Sequence, residues 1–314
     1  MWTCNCSSVL RRTGAERRPQ PSSTCTDEIA AKRKLIHYWA AAFRFVSHMS
    51  TMSTRNLRLG HTRSFLLEVG LISRYAVQIV RAAFRRPFEF TEIIQQTYMA
   101  GLRSLPLIVT SGVAVGVVLS MHTRAVMERF GAESLIPSAL AIALIGETGP
   151  LLAGLLVAGR VGAGIGAELG GMRVTEQIDA LESLAIDSVH YLAVTRILAC
   201  MIALPILTTV MNFAGLCGGY VAETAISGIS MKLYFHHAFE TLGLMDYILP
   251  TIKTVVFGFI IGTVSSYLGY NARGGSEGIG RASTLSVVLS SVLLIFVNVL
   301  LVRMIFILFP ASAL

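Results

Sequence analysis

The sequence predicts an all-α polytopic membrane protein, with an N-terminal interfacial amphipathic helix followed by five transmembrane helices. Two observations carry that reading. Of the 314 residues, 54% are hydrophobic and only 14% charged, against about 25% charged in a soluble domain. Mean hydropathy is +0.65, and the apolar residues gather into five stretches close to or beyond the roughly 20 residues that a helix needs to cross a bilayer. This composition excludes a disordered chain and fits a soluble enzyme poorly. The net charge of +8 is concentrated in the first third of the chain. A basic start followed by a near-neutral apolar body points to a membrane surface rather than to nucleic acid.

Three segments follow in order: a leader at 1–56, an interfacial amphipathic segment at 57–104 and a five-helix permease-like body at 105–314. The leader is rich in Arg, Ser and Thr, with Glu16, Asp27 and Glu28 its only acids. It has no apolar core of about 7–15 residues, so it does not read as a secretory signal. It fits an organellar transit peptide, or an over-long start with Met49 or Met52 as the initiator; the latter is the expectation. Cys4, Cys6 and Cys25 fall in the leader, while Cys200 and Cys217 fall in an apolar run. Their spacings suit neither a disulfide framework nor a metal site.

Between residues 63 and 86, Phe65, Val69, Ile72, Ala76, Ile79 and Ala83 recur at helical steps. Ser64, Glu68, Arg74, Gln78, Arg81 and Arg85 fill the opposite side. That pattern predicts an amphipathic helix in the membrane interface, its arginines meeting anionic head groups, ended by Pro87.

The five spans are Leu105–Met121, Leu135–Ala167, Val189–Val221, Tyr247–Tyr270 and Leu285–Phe309. The second and third exceed one crossing and must tilt, break or extend past the membrane. Pro150 and Pro205 are expected to kink or interrupt them. Arg81, Arg85, Arg86 and Arg103 precede the first span, which places the N-terminus in the cytoplasm. The loops at 168–188 and 271–284 then face the cytoplasm, and those at 122–134 and 222–246 face outward. Ser283 or Thr284 is expected to cap the last helix. His236, His237 and Glu240 share the outer loop, but two histidines there are no metal site without a further ligand.

Residues 146–188 carry the functional signal. Small residues recur every four positions as Gly154, Ala158, Gly162, Gly166, Gly170 and as Gly159, Ala163, Ala167, Gly171. Such stripes let helix backbones approach closely within a membrane, against a helix of this chain or of a second copy. Glu147, before Thr148, Gly149 and Pro150, is a carboxylate at membrane depth, where it should face a cavity or a partner. Arg160 lies about 20 Å further along a straight helix, too far to pair with it. Between 172 and 188, Met172, Ile178, Leu181 and Leu184 alternate with Glu176, Gln177, Asp179, Glu182 and Asp187. This predicts a short acidic amphipathic helix, capped by Thr175 and suited to a groove on a partner.

These residues resemble the MlaE/YrbE permease family of ABC lipid transporters, with the plastid trigalactosyldiacylglycerol permeases as relatives. The matching blocks are Glu147–Ala153, Ala158–Gly162, Met172–Ala180, and Gly269-Tyr270 followed by GGSEGIGRAST at 274–284. The resemblance covers about residues 65–310. It implies a homodimeric permease that binds a cytoplasmic ABC ATPase, works with an MCE-type substrate-binding protein on the outer face, and moves phospholipid or a related lipid. It implies a bacterial inner membrane, with the chloroplast inner envelope as the alternative. By position, 172–186 with Arg173 matches the family's coupling helix, which docks on the ATPase. Glu147, Thr148, Pro150 and Asn298 are the expected lipid-pathway residues, with tails resting on spans one, two and five. Gly154, Ala158, Arg160, Gly162, Gly166 and Gly170 are structural or interface residues. Where the family often has Arg before its Glu this chain has Gly146, and where the last span often has an acid it has Asn298, so head-group contacts are expected to differ.

The chain contains no phosphate loop of the G-x-x-x-x-G-K-[ST] type, so ATP, the one cofactor implied, belongs to the partner subunit. Two other classes are weaker. An intramembrane enzyme needs a nucleophile–base pair, yet His122, His190, His236 and His237 sit at loop edges. A proton-coupled carrier using Glu147 would be expected to show paired inverted repeats, and five unequal spans show none.

Overall fold

The computed structural model describes residues 61–83, 90–185 and 187–308. The chain divides into two compact units, Met1–Phe65 and Leu66–Leu314. Of the first, only residues 61–65 are described, so the leader and its three cysteines lie outside the described residues, as does Pro87 of the second.

Helix α1 spans His61–Ala83 and α2 spans Phe90–Leu102. The predicted amphipathic helix is present, with its apolar stripe set slightly differently: Ile72, Tyr75, Ile79 and Ala82 are buried and Ala76 is only half-buried. Tyr75, Ile79 and Ala82 pack on Ala193, Val194 and Ile197 at the start of the third span. The stripe therefore seats on the protein's own bundle. Leu71, Val77 and Val80 stay exposed beside Arg74 and Arg81.

Among the described residues, five helical segments are long and apolar enough to cross a membrane: Leu105–Phe130, Glu133–Val174, Val189–Ser227, Leu244–Tyr270 and Gly275–Ile305. The first holds α3 (Leu105–Met127). The second is built from α4 (Ile136–Ala143), a π-helical turn Leu144–Thr148, α5 (Gly149–Val157), a second π turn Ala158–Gly162, and α6 (Ala163–Val174). A short helix α7 (Gln177–Ser183) follows, then a π turn Val189–Val194 running into α8 (Thr195–Ser227). The short helix α9 (Met231–Glu240), α10 (Leu244–Tyr270) and α11 (Gly275–Leu308) complete the described residues.

The expected interruption at Pro150 takes the form of the π turn just before it, since proline supplies no N–H to the preceding turn. Pro205 does not interrupt: α8 continues through it. Ser283 and Thr284 do not cap the last helix either. It starts at Gly275, and two turns inside it Ser283 Oγ donates to the Ala163 carbonyl (3.1 Å) and Thr284 Oγ1 to that of Gly280 (2.9 Å).

One apolar cluster joins all five spans: Ile108, Ala153, Val157, Ala158, Leu204, Leu207, Met211, Phe257, Ile261 and Leu294. Glycines bring the spans together around α8. A Cβ on Gly116 would strike the Gly215 carbonyl, and one on Gly258 would lie 2.6 Å from the Cys200 carbonyl oxygen. The first small-residue stripe meets helices of this same chain. Gly154 faces Phe257, Gly162 faces Ser265 and Ile261, Gly166 faces Ser286, and Gly170 faces Ala272 and Ile279; Ala158 is fully buried among them. The second stripe is more open, with nothing within 4 Å of a Cβ on Gly159 or Gly171.

Candidate functional site

Glu147 sits on the first π turn, and the fold brings two distant residues to its carboxylate. Asn298 Nδ2 on α11 donates to Glu147 Oε2 at 3.3 Å, and Lys253 Nζ on α10 pairs with the same oxygen at 3.0 Å. Lys253 Nζ also donates to the Gly146 carbonyl at 3.1 Å. The lysine side chain is 2% exposed and the glutamate side chain 50%. One end of this pair is thus enclosed by protein and the other opens to a cavity.

That cavity, about 390 Å³, is lined by Ile142, Gly146, Glu147, Leu249, Lys253, Val302 and Ile305, with Leu242, Met245 and Asp246 at the link into α10. Its walls come from spans two, four and five, not one, two and five as expected. The first span is engaged instead by α8 through Gly112 and Gly116. An adjoining hollow of about 330 Å³ is lined by Thr209, Asn212, Phe213 and Tyr247, among others. Thr148 is half-buried and does not line the larger cavity, and Pro150 is buried beneath it.

Sequence reading missed Lys253, although the signal was available: it is an ionisable residue inside the fourth apolar stretch, the argument that singled out Glu147. Another buried ion pair was also missed. Glu223 on α8 accepts from Arg124 Nη2 at 2.7 Å and Ser120 Oγ at 3.0 Å.

The predicted coupling helix at 172–186 is shorter and differently bounded. Met172, Arg173 and Val174 end α6. Thr175 does not cap the start of α7; it closes the end of α6, and its hydroxyl bonds back to the Gly171 carbonyl (2.9 Å). Glu176 takes a left-handed conformation (φ +58°) and turns the chain into α7. Ile178 is buried, while Glu176, Gln177, Asp179 and Glu182 are exposed, as is Leu184 at the tip.

Two tethers hold α7. Arg173 bridges Asp179. Glu182 Oε1 accepts from Tyr270 Oη at 2.6 Å and from Ser188 Oγ at 2.8 Å, tying the segment to the fourth span and the third. These hydroxyls, Tyr270 first, hold the Glu182 carboxyl below its usual value near 4.5. A carboxyl depressed by folding stabilises the folded segment above its ordinary pKa, and that contribution disappears as pH falls through the lowered value. Acidification below about 4.5 should therefore raise amide exchange across 177–185, corrected for intrinsic rates. Tyr270→Phe should move the midpoint of that rise to higher pH; an unmoved midpoint would refute the tether.

Arg160 does not meet Glu147; its Nη1 donates to Ser104 Oγ at 2.8 Å. Cys200 and Cys217 are free thiols. His236, His237 and Glu240 bring their ligand atoms within 4.8 Å of one another on exposed α9. Both imidazoles are oriented at Glu240, at 3.4 and 3.6 Å, a geometry that a surface pair explains fully.

A family model described as Permease MlaE matches residues 93–304. A probable ABC transporter permease protein of Rickettsia bellii is 37% identical over 257 residues, which is 82% of this chain and 97% of that one. The chloroplastic protein trigalactosyldiacylglycerol 1 of Arabidopsis thaliana is 32% identical, covering 69% of this chain and 62% of its own. The intermembrane phospholipid transport system permease protein MlaE of Haemophilus influenzae is 29% identical, covering 69% and 84% respectively.

Proposed function

We propose that this chain, which belongs to the MlaE permease family of ABC transporter permeases, carries phospholipid through the Glu147 cavity under the drive of a separate ATPase. The observation that carries this reading is the cavity itself. Its lining is mostly apolar, with Asp246 at the link into α10 and, deeper, the half-exposed Glu147 carboxylate braced by Lys253 and Asn298. Such a site offers apolar surface to acyl chains and a fixed polar anchor to a head group. The phospholipid transport role in the name of the Haemophilus relative supports that cargo.

The ATPase docks on α7. Its exposed acids and Leu184 form a small protruding surface, and the Glu182–Tyr270–Ser188 cluster passes a push on α7 into the third and fourth spans. A second copy of the chain packs through the open stripe of Gly159 and Gly171, and an MCE-type protein receives or delivers lipid on the outer face. In this scheme the N-terminus is cytoplasmic in a bacterial inner membrane; the chloroplastic relative supports the envelope inner membrane as the alternative.

Purifying the intact assembly and identifying its bound lipid and proteins by mass spectrometry tests the scheme. Phospholipid and an ABC ATPase are expected. Glu176→Lys combined with Gln177→Lys should cut ATPase recovery about tenfold, because it makes the docking face basic while leaving both tethers and buried Ile178 in place. Undiminished recovery would remove α7 as the docking element.

A further inference from the structure

We propose that the chain has a second anion site, separate from the Glu147 cavity, in which Arg103, Arg160 and Arg196 hold the phosphate of an anionic phospholipid head group. The three arginines line one cavity of about 200 Å³ between α2, the second span and the third, together with Gln96 and Glu168.

Charge balance carries the inference. Arg196 is 4% exposed; its Nη2 pairs with Glu168 Oε1 at 2.7 Å and its Nη1 donates to the Leu192 carbonyl at 2.9 Å. Its Nε is buried with no partner among the described residues. Among the described residues Arg160 has only the neutral Ser104 hydroxyl, and Arg103 forms no ion pair. Three guanidinium groups therefore face one carboxylate. An uncompensated guanidinium in a membrane span is costly, and a phosphate both supplies the missing charge and matches the forked donor geometry.

Position identifies the source of the phosphate. Arg103 and Ser104 immediately precede the first span, and Ser104 binds Arg160, so the cluster stands where that span enters the membrane. Glu147 is about 20 Å away along the second span. Apolar Met99 lines the same cavity, and Ile94 and Leu102 are exposed on α2 beside it. A free phosphate ion has no use for such surface; an acyl chain does.

The test reconstitutes the full chain in nanodiscs of phosphatidylcholine alone or of equal parts phosphatidylcholine and phosphatidylglycerol, then counts lipids retained per chain by native mass spectrometry. Phosphatidylglycerol should be retained preferentially. Arg103→Gln with Arg160→Gln should weaken that preference about thirtyfold, from the contribution of two arginines at a lipid surface. The charge-matched control Arg129→Gln with Lys232→Gln should leave it intact. Equal retention of both lipids by the unaltered chain overturns the proposal whether or not the variants fold, as does an unchanged preference in the arginine variant. Complete displacement of phosphatidylglycerol by glycerol phosphate would assign the site to a soluble phosphate and overturn the lipid source.

Discussion

Glu147→Ala is expected to lower the stability of the chain by about 3 kcal/mol, the scale of removing one partner from a buried ion pair, and to end lipid transport. The two losses have different origins. The stability loss comes from Lys253: its ammonium is enclosed, and without the carboxylate it keeps only the Gly146 carbonyl. The transport loss comes from the missing polar anchor in the cavity. Adding Lys253→Met to Glu147→Ala separates them, because with no buried charge left to strand, most of the thermal stability in detergent should return. Transport should stay absent. If the double variant transports lipid normally, the carboxylate is a structural partner of the lysine and no part of the pathway.

Gly116→Ala should be nearly as damaging with a single added methyl group. That carbon would occupy the position of the Gly215 backbone carbonyl, which cannot rotate away as a side chain can. The first and third spans must separate, at about 3 kcal/mol, the upper end of overpacking costs, in a setting where close backbone contact is itself the main association force. Gly70→Ala is the matched control: nothing lies within 4 Å of its Cβ, and relief of glycine's helix penalty should stabilise α1 by up to about 1 kcal/mol. Thermal unfolding of the purified proteins distinguishes the two; equal behaviour would mean that α3 and α8 do not pack as described.

The elements that hydropathy and periodicity encode were readable in the sequence. Five apolar stretches became five spans, each longer than its apolar run because the helices continue beyond the apolar residues. Glu147 was legible as a carboxylate at depth and Asn298 through the family resemblance, but their meeting across 151 positions is a tertiary event with no local signature. Lys253 was legible on the same grounds and went unread. The limits of the segment at 172–186 were not legible. Thr175 and Glu176 have the composition of a helix start, yet the turn is made by a left-handed glutamate, a conformation that no residue preference would assign to it. The π turns at Ala158–Gly162 and Val189–Val194 are equally silent, because they use the residues an α-helix uses.

Those π turns have a consequence for the small-residue stripe. Residues spaced by four on an ideal α-helix advance about 40° per step, so Gly154 and Gly170 would point some 160° apart, on nearly opposite faces. A π turn inserts one residue without its share of rotation, about 100°. With the turn at Ala158–Gly162 between them, the two glycines differ by only about 60° in azimuth. One widened turn thus keeps a four-residue repeat in phase along the C-terminal half of the second span, and it is why all five positions of that stripe reach the fourth and fifth spans.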